Sequence, residues 1–468
     1  MKHFHLRESE KGLKFDLSIL GKMDKKTIYA LSTVFGKSGV AVIRVSGANA
    51  FDVFNKMTSI ASENVVGRKM NLVKLFNPVS RETLDCCLVV GFRAPDSFTG
   101  ENTVEINCHG SKAVIRSIIE ALGQLPDFRL AEPGEFSRRA FYNGKMDLTE
   151  ADGLADLIDA ETYMQQKTAL RQMGGALLKQ YDAWRDELVT ILSHIEAYID
   201  FPDEEIPEDI VSEVENTVFK VADGIRRHLS ENRVNERLRE GFRIAIAGPA
   251  NAGKSSLVNA IVKRNVAIVS DIAGTTRDAV EAYVDIKGFP FIFTDTAGLR
   301  ETNDEIEKIG IDIAKEKISD ADFKIFIFDA EKDDPEIFRQ YTDHQNNYLV
   351  VANKIDKISE VQKEKLSQDN CLLISVKENQ NLEVLIDHIY NYFNDIYTTG
   401  SNCLITRERY RQALQSCVSS LECFNLRKDI ELAAEDVRLA CRAIGKITGR
   451  VEVDEILDKI FGSFCIGK

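Results

Sequence analysis

Gly248-Pro249-Ala250-Asn251-Ala252-Gly253-Lys254-Ser255 lies in mid-chain, after the apolar run Phe242-Arg243-Ile244-Ala245-Ile246-Ala247 and before the stretch Ser256 to Val262. The run predicts a buried strand and the stretch a helix. A strand, a glycine-bracketed turn ending in Lys-Ser, and a helix together predict a phosphate-binding loop. Its backbone N–H groups cradle phosphates at a helix N-terminus, Lys254 reaches the β- and γ-phosphates, and Ser255 ligates magnesium.

Segments on the C-terminal side decide the nucleotide. Asp295-Thr296-Ala297-Gly298 follows the apolar run Phe289 to Phe293. A carboxylate at a strand end can hold the magnesium shell, and a glycine lets its N–H approach the γ-phosphate. Asn353-Lys354-Ile355-Asp356 follows the strand Tyr348-Leu349-Val350-Val351-Ala352. Asp356 can accept from the N1 and N2 donors of guanine, a pattern adenine lacks, so a carboxylate left unpaired penalises ATP. Ser375-Val376-Lys377, after Leu372-Leu373-Ile374, is placed to close over the base. Gly274-Thr275-Thr276-Arg277-Asp278 falls between the phosphate loop and Asp295. Thr276 is the candidate switch threonine that closes on magnesium when the γ-phosphate is present. This order predicts a GTP site. Ras-like enzymes carry a water-orienting glutamine directly after the Asp-x-x-Gly segment, and here that position is Leu299. Another polar group and another source of positive charge are therefore required. Arg300 to Glu307 offers several carboxylates, among which spacing does not choose.

At 468 residues the chain is long enough for about three domains. Hydrophobic content of 44% and charged content of 29% fit well-formed cores in a soluble protein. No apolar run reaches the length of about 20 residues that spans a bilayer, which predicts no membrane association. The 9 cysteines, among them no Cys-x-x-Cys pair, predict a reducing cytoplasm rather than a disulfide framework or a zinc site. A net charge of −14 excludes a protein that coats nucleic acid by bulk electrostatics, while leaving room for a local basic patch or a basic partner.

The pattern predicts a multidomain α/β protein. Residues 1–24 read as a tail or upstream extension, with Glu8, Glu10 and Asp16 unlike a targeting signal. Residues 25–145 alternate short β-rich runs with turns around one helix, Lys112 to Leu122, as in an α+β domain. Residues 146–240 place Leu154, Leu157 and Ile158, then Leu188, Ile191, Leu192 and Ile195, at helical spacing until Phe201-Pro202 breaks it. The GTP-binding domain occupies 241–395. Helical spacing resumes over 396–468 with Tyr410, Leu414, Cys417 and Leu421, then Val437, Cys441 and Ile444. Helices on both sides of a complete α/β domain predict a Ras-like P-loop domain inserted in a helical one. The terminal tail, by composition, has no role beyond a flexible end.

From about Lys25 to Lys468 the chain resembles the MnmE (TrmE) family of tRNA-modification GTPases. The resemblance rests on Phe464-Cys465-Ile466-Gly467-Lys468, Asp295-Thr296-Ala297-Gly298-Leu299-Arg300-Glu301 and Ala273-Gly274-Thr275-Thr276-Arg277-Asp278. It rests also on Pro133-Gly134-Glu135-Phe136-Ser137, Ala155-Asp156-Leu157-Ile158-Asp159-Ala160 and Ile199-Asp200-Phe201-Pro202-Asp203-Glu204-Glu205. It implies a potassium-activated GTPase that works with the flavoprotein MnmG in a hetero-oligomer. Together they place an aminomethyl or carboxymethylaminomethyl group on carbon 5 of the wobble uridine of certain tRNAs. It further implies a homodimer made by an N-terminal domain that binds 5-formyl- or methylene-tetrahydrofolate.

The resemblance also assigns residues. Asn251 is similar to the family's side-chain ligand for potassium, with Ser270, Ile272 and Thr275 completing that site. The ion can supply the charge that an arginine finger supplies elsewhere. The GTP site then comprises Asn251, Ala252, Gly253, Lys254, Ser255, Ser256, Ser270, Asp271, Ile272, Ala273, Gly274, Thr275, Thr276, Asp295, Thr296, Ala297, Gly298, Asn353, Lys354, Asp356, Ser375, Val376 and Lys377. Ser255 and Thr276 are the implied magnesium ligands, and Glu307 matches the catalytic glutamate that orients water, acting beside Lys254. Arg44, Glu105, Lys145 and Lys468 match folate ligands. Arg44 and Lys145 suit anionic groups, and Glu105 suits pterin N–H donors. Cys465 matches a near-terminal cysteine with a possible role in the tail. Val34-Phe35-Gly36-Lys37-Ser38-Gly39 stands where the family often has a Pro-Gly-Arg-Gly-type loop. The competing class is a regulatory GTPase switch in ribosome assembly without tRNA chemistry. Such factors usually add a basic RNA-binding domain, and this chain is acidic instead.

Overall fold

The computed structural model describes residues 25–200, 208–230, 234–267, 281–295, 319–338, 347–399, 405–427, 429–450, 457, 460–462 and 464–467. The chain divides into two compact units, Met1–Ala155 with Ile444–Lys468, and Asp156–Ala443.

The first unit holds strands β1 (Thr27–Leu31), β2 (Ser38–Ser46), β3 (Met70–Phe76), β4 (Thr83–Phe92), β5 (Thr103–Gly110) and β6 (Phe128–Leu130). With them are helices α1 (Asp52–Met57), α2 (Lys112–Gly123) and α3 (Glu135–Tyr142). The sheet order is β3-β4-β5-β2-β1-β6. All its pairs are antiparallel except β1 with β6. Period-two alternation buries Ala41, Ile43 and Val45 of β2 against α1 and α2, which contribute Phe54, Ile115, Ile118 and Leu122. Ser111 starts α2 by accepting a hydrogen bond from Val114 N.

The C-terminal tail is packed in this unit rather than being a free end. Phe461 and Phe464 sit with Leu148, Ala151, Leu457 and Ile460 in one apolar cluster. Gly134, at φ 65°, opens α3 where the Phe461 carbonyl lies so close that a Cβ would overlap it. Ile466 bridges Pro133, and Ser32 Oγ donates to the Gly467 carbonyl at 2.9 Å. Composition missed this because the partners of the tail, Gly134, Pro133, Leu148 and Ser32 among them, are distant in sequence.

In the second unit, helices α5 (Tyr163–Met173), α6 (Ala176–Asp200), α7 (Glu208–Ser230) and α8 (Val234–Glu240) follow α4 (Leu148–Asp159), which crosses the division. Strands β7 (Phe242–Ala247), β8 (Val266–Ala267), β9 (Glu281–Ile286), β10 (Phe289–Asp295), β11 (Phe323–Asp329), β12 (Tyr348–Asn353) and β13 (Leu372–Leu373) build a second sheet. Its order is β13-β12-β11-β7-β10-β9-β8. β7, β10, β11, β12 and β13 run parallel. Helices α9 (Lys254–Arg264), α10 (Glu360–Gln368) and α11 (Leu382–Thr399) accompany it, and α12 (Glu408–Cys423) and α13 (Ile430–Thr448) return to the helical part. Every residue of β11 is buried, as expected of a central parallel strand. Phe323, which opens β11, meets Phe393 edge-on, and Phe393 in turn packs against Phe242 and Phe291 at tilted or edge-on angles, each burial worth about 1.5–3 kcal/mol.

α6 buries Tyr181, Trp184, Leu188, Ile191 and Ile195, and α12 buries Tyr410, Leu414, Cys417 and Leu421, both at helical spacing. α6 ends at Asp200, and Phe201 and Pro202 lie outside the described residues. The inserted α/β part is fastened to the helices through α5. Thr162 and Gln165 form a capping box at its start, and Met164 N donates to Gly288 O at 3.0 Å. The Met164 side chain enters the core of the second sheet.

Candidate functional site

The phosphate loop leaves β7 at its C-terminal end and enters α9 at Lys254, two residues before the stretch from Ser256 that the sequence marks as helix, so that Lys254 and Ser255 belong to the first turn. Gly248 passes so near the Ile327 carbonyl that a Cβ would overlap it, and at Gly253, φ 104°, a Cβ would overlap Asn353 Nδ2. Both glycines are therefore required by close approach. Lys254 is buried, and its Nζ donates to the carbonyls of Gly248 and Pro249 at 2.9 Å each. That puts the ammonium inside the curl of the loop, where phosphate oxygens would meet it. Ser255 and Ser256 are exposed at the start of α9. Asp295, last in β10, pairs in register with Ile246 of β7, so it stands beside the loop's origin.

Asn353 draws the guanine segments to this loop. It is 3% exposed. Its Nδ2 donates to Ala252 O at 2.8 Å, while its Oδ1 accepts from Lys354 N at 2.8 Å and Val376 N at 3.1 Å. Lys354 Nζ donates to Asn251 O at 2.8 Å. Ser375, fully buried, donates to Asp356 Oδ1 at 2.6 Å, and this bond holds the exposed Asp356 carboxyl below its usual range. Ser375 and Gln380 exchange backbone bonds that close the turn carrying Val376 and the exposed Lys377. All these groups gather at the C-terminal ends of parallel strands, where open α/β sheets bind ligands. The donor set suits a nucleotide: loop amides and one ammonium for phosphates, and a charged carboxylate for a base edge. Ser270, Asp271, Ile272, Ala273, Gly274, Thr275, Thr276, Thr296, Ala297, Gly298 and Glu307 lie outside the described residues.

A second polar site lies in the first unit. Arg44 of β2 stands opposite Glu105 of β5 in register, and its Nε donates to Glu105 Oε1 at 3.0 Å. The guanidinium also faces the rings of Phe98 at 5.1 Å and Phe136 at 5.7 Å. Lys145 leans on Gly100, two residues beyond Phe98. The turn bearing Phe98 and Gly100 is held from below. Arg139, 2% exposed, pairs with Glu101 at 3.1 Å and Glu135 at 3.0 Å, and Asn143 Nδ2 donates to Thr99 O at 2.7 Å. The set has a cation on an aromatic shelf, a carboxylate and a second cation, which fits a flat heterocycle with an anionic tail. Sequence reading missed Phe98 and Arg139; the Phe98-Thr99-Gly100-Glu101 run was the only local signal. Cys465 is exposed, and Lys468 lies outside the described residues.

No described helix is long and apolar enough to cross a membrane. A family model described as the MnmE helical domain matches residues 148–465, and one described as the GTP-binding protein TrmE N-terminus matches residues 27–145. The chain is 47% identical over 446 residues to the tRNA modification GTPase MnmE of Rickettsia bellii (strain RML369-C), covering 95% of this chain and 100% of that one. The corresponding proteins of Rickettsia typhi and Rickettsia prowazekii are 45% and 46% identical over the same shares.

Proposed function

The chain belongs to the MnmE family of tRNA modification GTPases, and from that membership we propose a GTP-hydrolysing enzyme that modifies tRNA and is activated by potassium. The observation that carries the GTP part of the reading is the Asn353 amide, which joins the phosphate loop, the Asn-Lys-x-Asp segment and the Ser375 turn. Asp356 reads the guanine N1 and N2 edge, with its charge secured by Ser375. Lys254 and the loop amides hold the β- and γ-phosphates. Glu307 orients the attacking water in place of the glutamine absent at Leu299. Magnesium on Ser255 and Thr276, and potassium on Asn251, Ser270, Ile272 and Thr275, supply positive charge to the phosphates when bound.

The domain limits belong to this reading: 25–145 for folate binding and dimerisation, 146–240 and 396–468 for the helical domain, and 241–395 for GTP. In the first unit, Arg44 and Lys145, with Lys468, receive anionic groups of a 5-formyl- or methylene-tetrahydrofolate, and Glu105 accepts from its pterin edge. The bound folate supplies a one-carbon unit. The homodimer works with the flavoprotein MnmG on the wobble uridine, in the cytoplasm.

Steady-state turnover in potassium and in sodium, at equal ionic strength, tests the cation assignment. Potassium is expected to give the faster rate, and Asn251→Ala to abolish the difference. Equal rates for the unsubstituted protein would contradict it.

A further inference from the structure

Asp329 ends β11 opposite Asn353 and belongs to none of the motifs read from the sequence. It is 3% exposed. Its oxygens take separate donors: Oδ1 accepts from Glu331 N at 3.1 Å, and Oδ2 from Lys354 Nζ at 2.6 Å. The Lys354 ammonium donates at the same time to the Asn251 carbonyl at 2.8 Å. Lys354 and Asn251 have φ of 66° and 64°, a region that non-glycine residues keep only when their surroundings enforce it. Asp329 and the Asn251 carbonyl thus fix one ammonium from two sides.

A surface lysine would reach Asn251 only part of the time, because a long side chain loses rotamer entropy when it is held. A buried carboxylate at 2.6 Å changes that balance, since a charge-assisted bond is stronger than a neutral one and Asp329 is itself locked by Glu331 N. The chain of contacts runs from the base segment to the loop residue whose side chain is assigned to potassium. We propose that Asp329 is a positioning residue. It holds the Lys354 ammonium on the phosphate loop and thereby sets the backbone of Asn251, coupling guanine binding to the cation site. The cation arm rests on the potassium reading above; the nucleotide arm rests on the GTP site alone.

Asp329→Asn keeps the size and the acceptor for Glu331 N while removing the charge. A fluorescent GDP analogue is expected to dissociate about tenfold faster from it, and the potassium concentration for half-maximal turnover to rise about fivefold, more than kcat falls. In a Lys354→Met background the same change is expected to add nothing to either quantity. A merely structural Asp329 would lower the melting temperature without moving the potassium midpoint. Parent-like dissociation and midpoint in Asp329→Asn, or additive losses in the double variant, would overturn the proposal. If Asp329→Asn does not fold, Lys354→Met breaks the pair from the other side, and an unmoved potassium midpoint there overturns the coupling. If the unsubstituted protein ignores potassium, the potassium reading fails, and nucleotide dissociation still decides the role of Asp329.

Discussion

At Asp356 one carboxylate oxygen takes the Ser375 hydroxyl at 2.6 Å, which keeps the group charged and turned toward the loop that Val376 and Lys377 close. A charged acceptor of this kind is worth about 1.5–3 kcal/mol against a ligand that supplies its donors. Asp356→Asn is therefore expected to weaken GTP about 10- to 100-fold and to relax selection toward xanthine nucleotides. An equilibrium titration checks this, and unchanged GTP affinity would remove Asp356 from base recognition. Glu307 raises a different matter, transition-state rather than ground-state contact. Glu307→Ala is expected to bind GTP nearly as before and to hydrolyse it about 100-fold more slowly or worse in single-turnover assays. A rate within about twofold of the parent would point instead to Glu301, Asp304 or Glu305. Among single residues, Asn353, Lys354 and Asp356 stood out in the sequence because they fall within four positions, and the structure gathers them with the phosphate loop. Asp329 was not: its partner Lys354 is met only through strand pairing, and an aspartate at a strand end looks like any turn residue.

Among the elements, the long amphipathic helices were the most legible. The apolar spacing read for α6 and α12 picks out buried Leu188, Ile191 and Ile195, and Tyr410, Leu414, Cys417 and Leu421, while Leu192 is only half-buried and Tyr181, Trp184 and Val418 join the buried faces unread. What spacing could not reveal is the polar group those faces enclose. His228 of α7 lies against Trp184 at 5.5 Å and Tyr181 at 5.9 Å, with Tyr181 Oη 3.4 Å from its Nε2. Burial, with the nearby Arg411 cation, pushes its pKa down to about 4. Arg411 is itself held by Glu236 at 3.2 Å and Leu229 O at 2.9 Å. The folded state thus keeps His228 neutral where an unfolded chain would protonate it near pH 6.5. Its contribution to stability is full above that value and is lost as pH falls from about 6.5 toward 4. Denaturant titrations are expected to show the parent losing up to a few kcal/mol over this interval, and His228→Phe a flatter dependence. A parent curve as flat as the variant's would contradict the assignment. The tail is the opposite case, since its anchors, the Gly134 backbone against Phe461 and the Ser32 hydroxyl on the Gly467 carbonyl, are contacts distant in sequence that no periodicity signals.

For the whole molecule, the sequence changes period along its length: two in the strands of the first sheet, three to four in the helices, and unbroken apolar runs in the parallel strands. The chain's acidity, −14 overall, means that tRNA must be gripped by a local patch or with help from a partner. On the proposed function the labour is divided, with GTP bound at the ends of the parallel strands of one unit and folate at Arg44 and Glu105 on the sheet of the other. The most direct test is nucleoside mass spectrometry of tRNA incubated with this protein, the flavoprotein partner, GTP, potassium, a methylenetetrahydrofolate and a nitrogen donor. The account predicts wobble uridine carrying an aminomethyl or carboxymethylaminomethyl group on carbon 5, lost when GTP is replaced by a non-hydrolysable analogue. Unmodified uridine in the complete mixture, or full modification without hydrolysis, would contradict it.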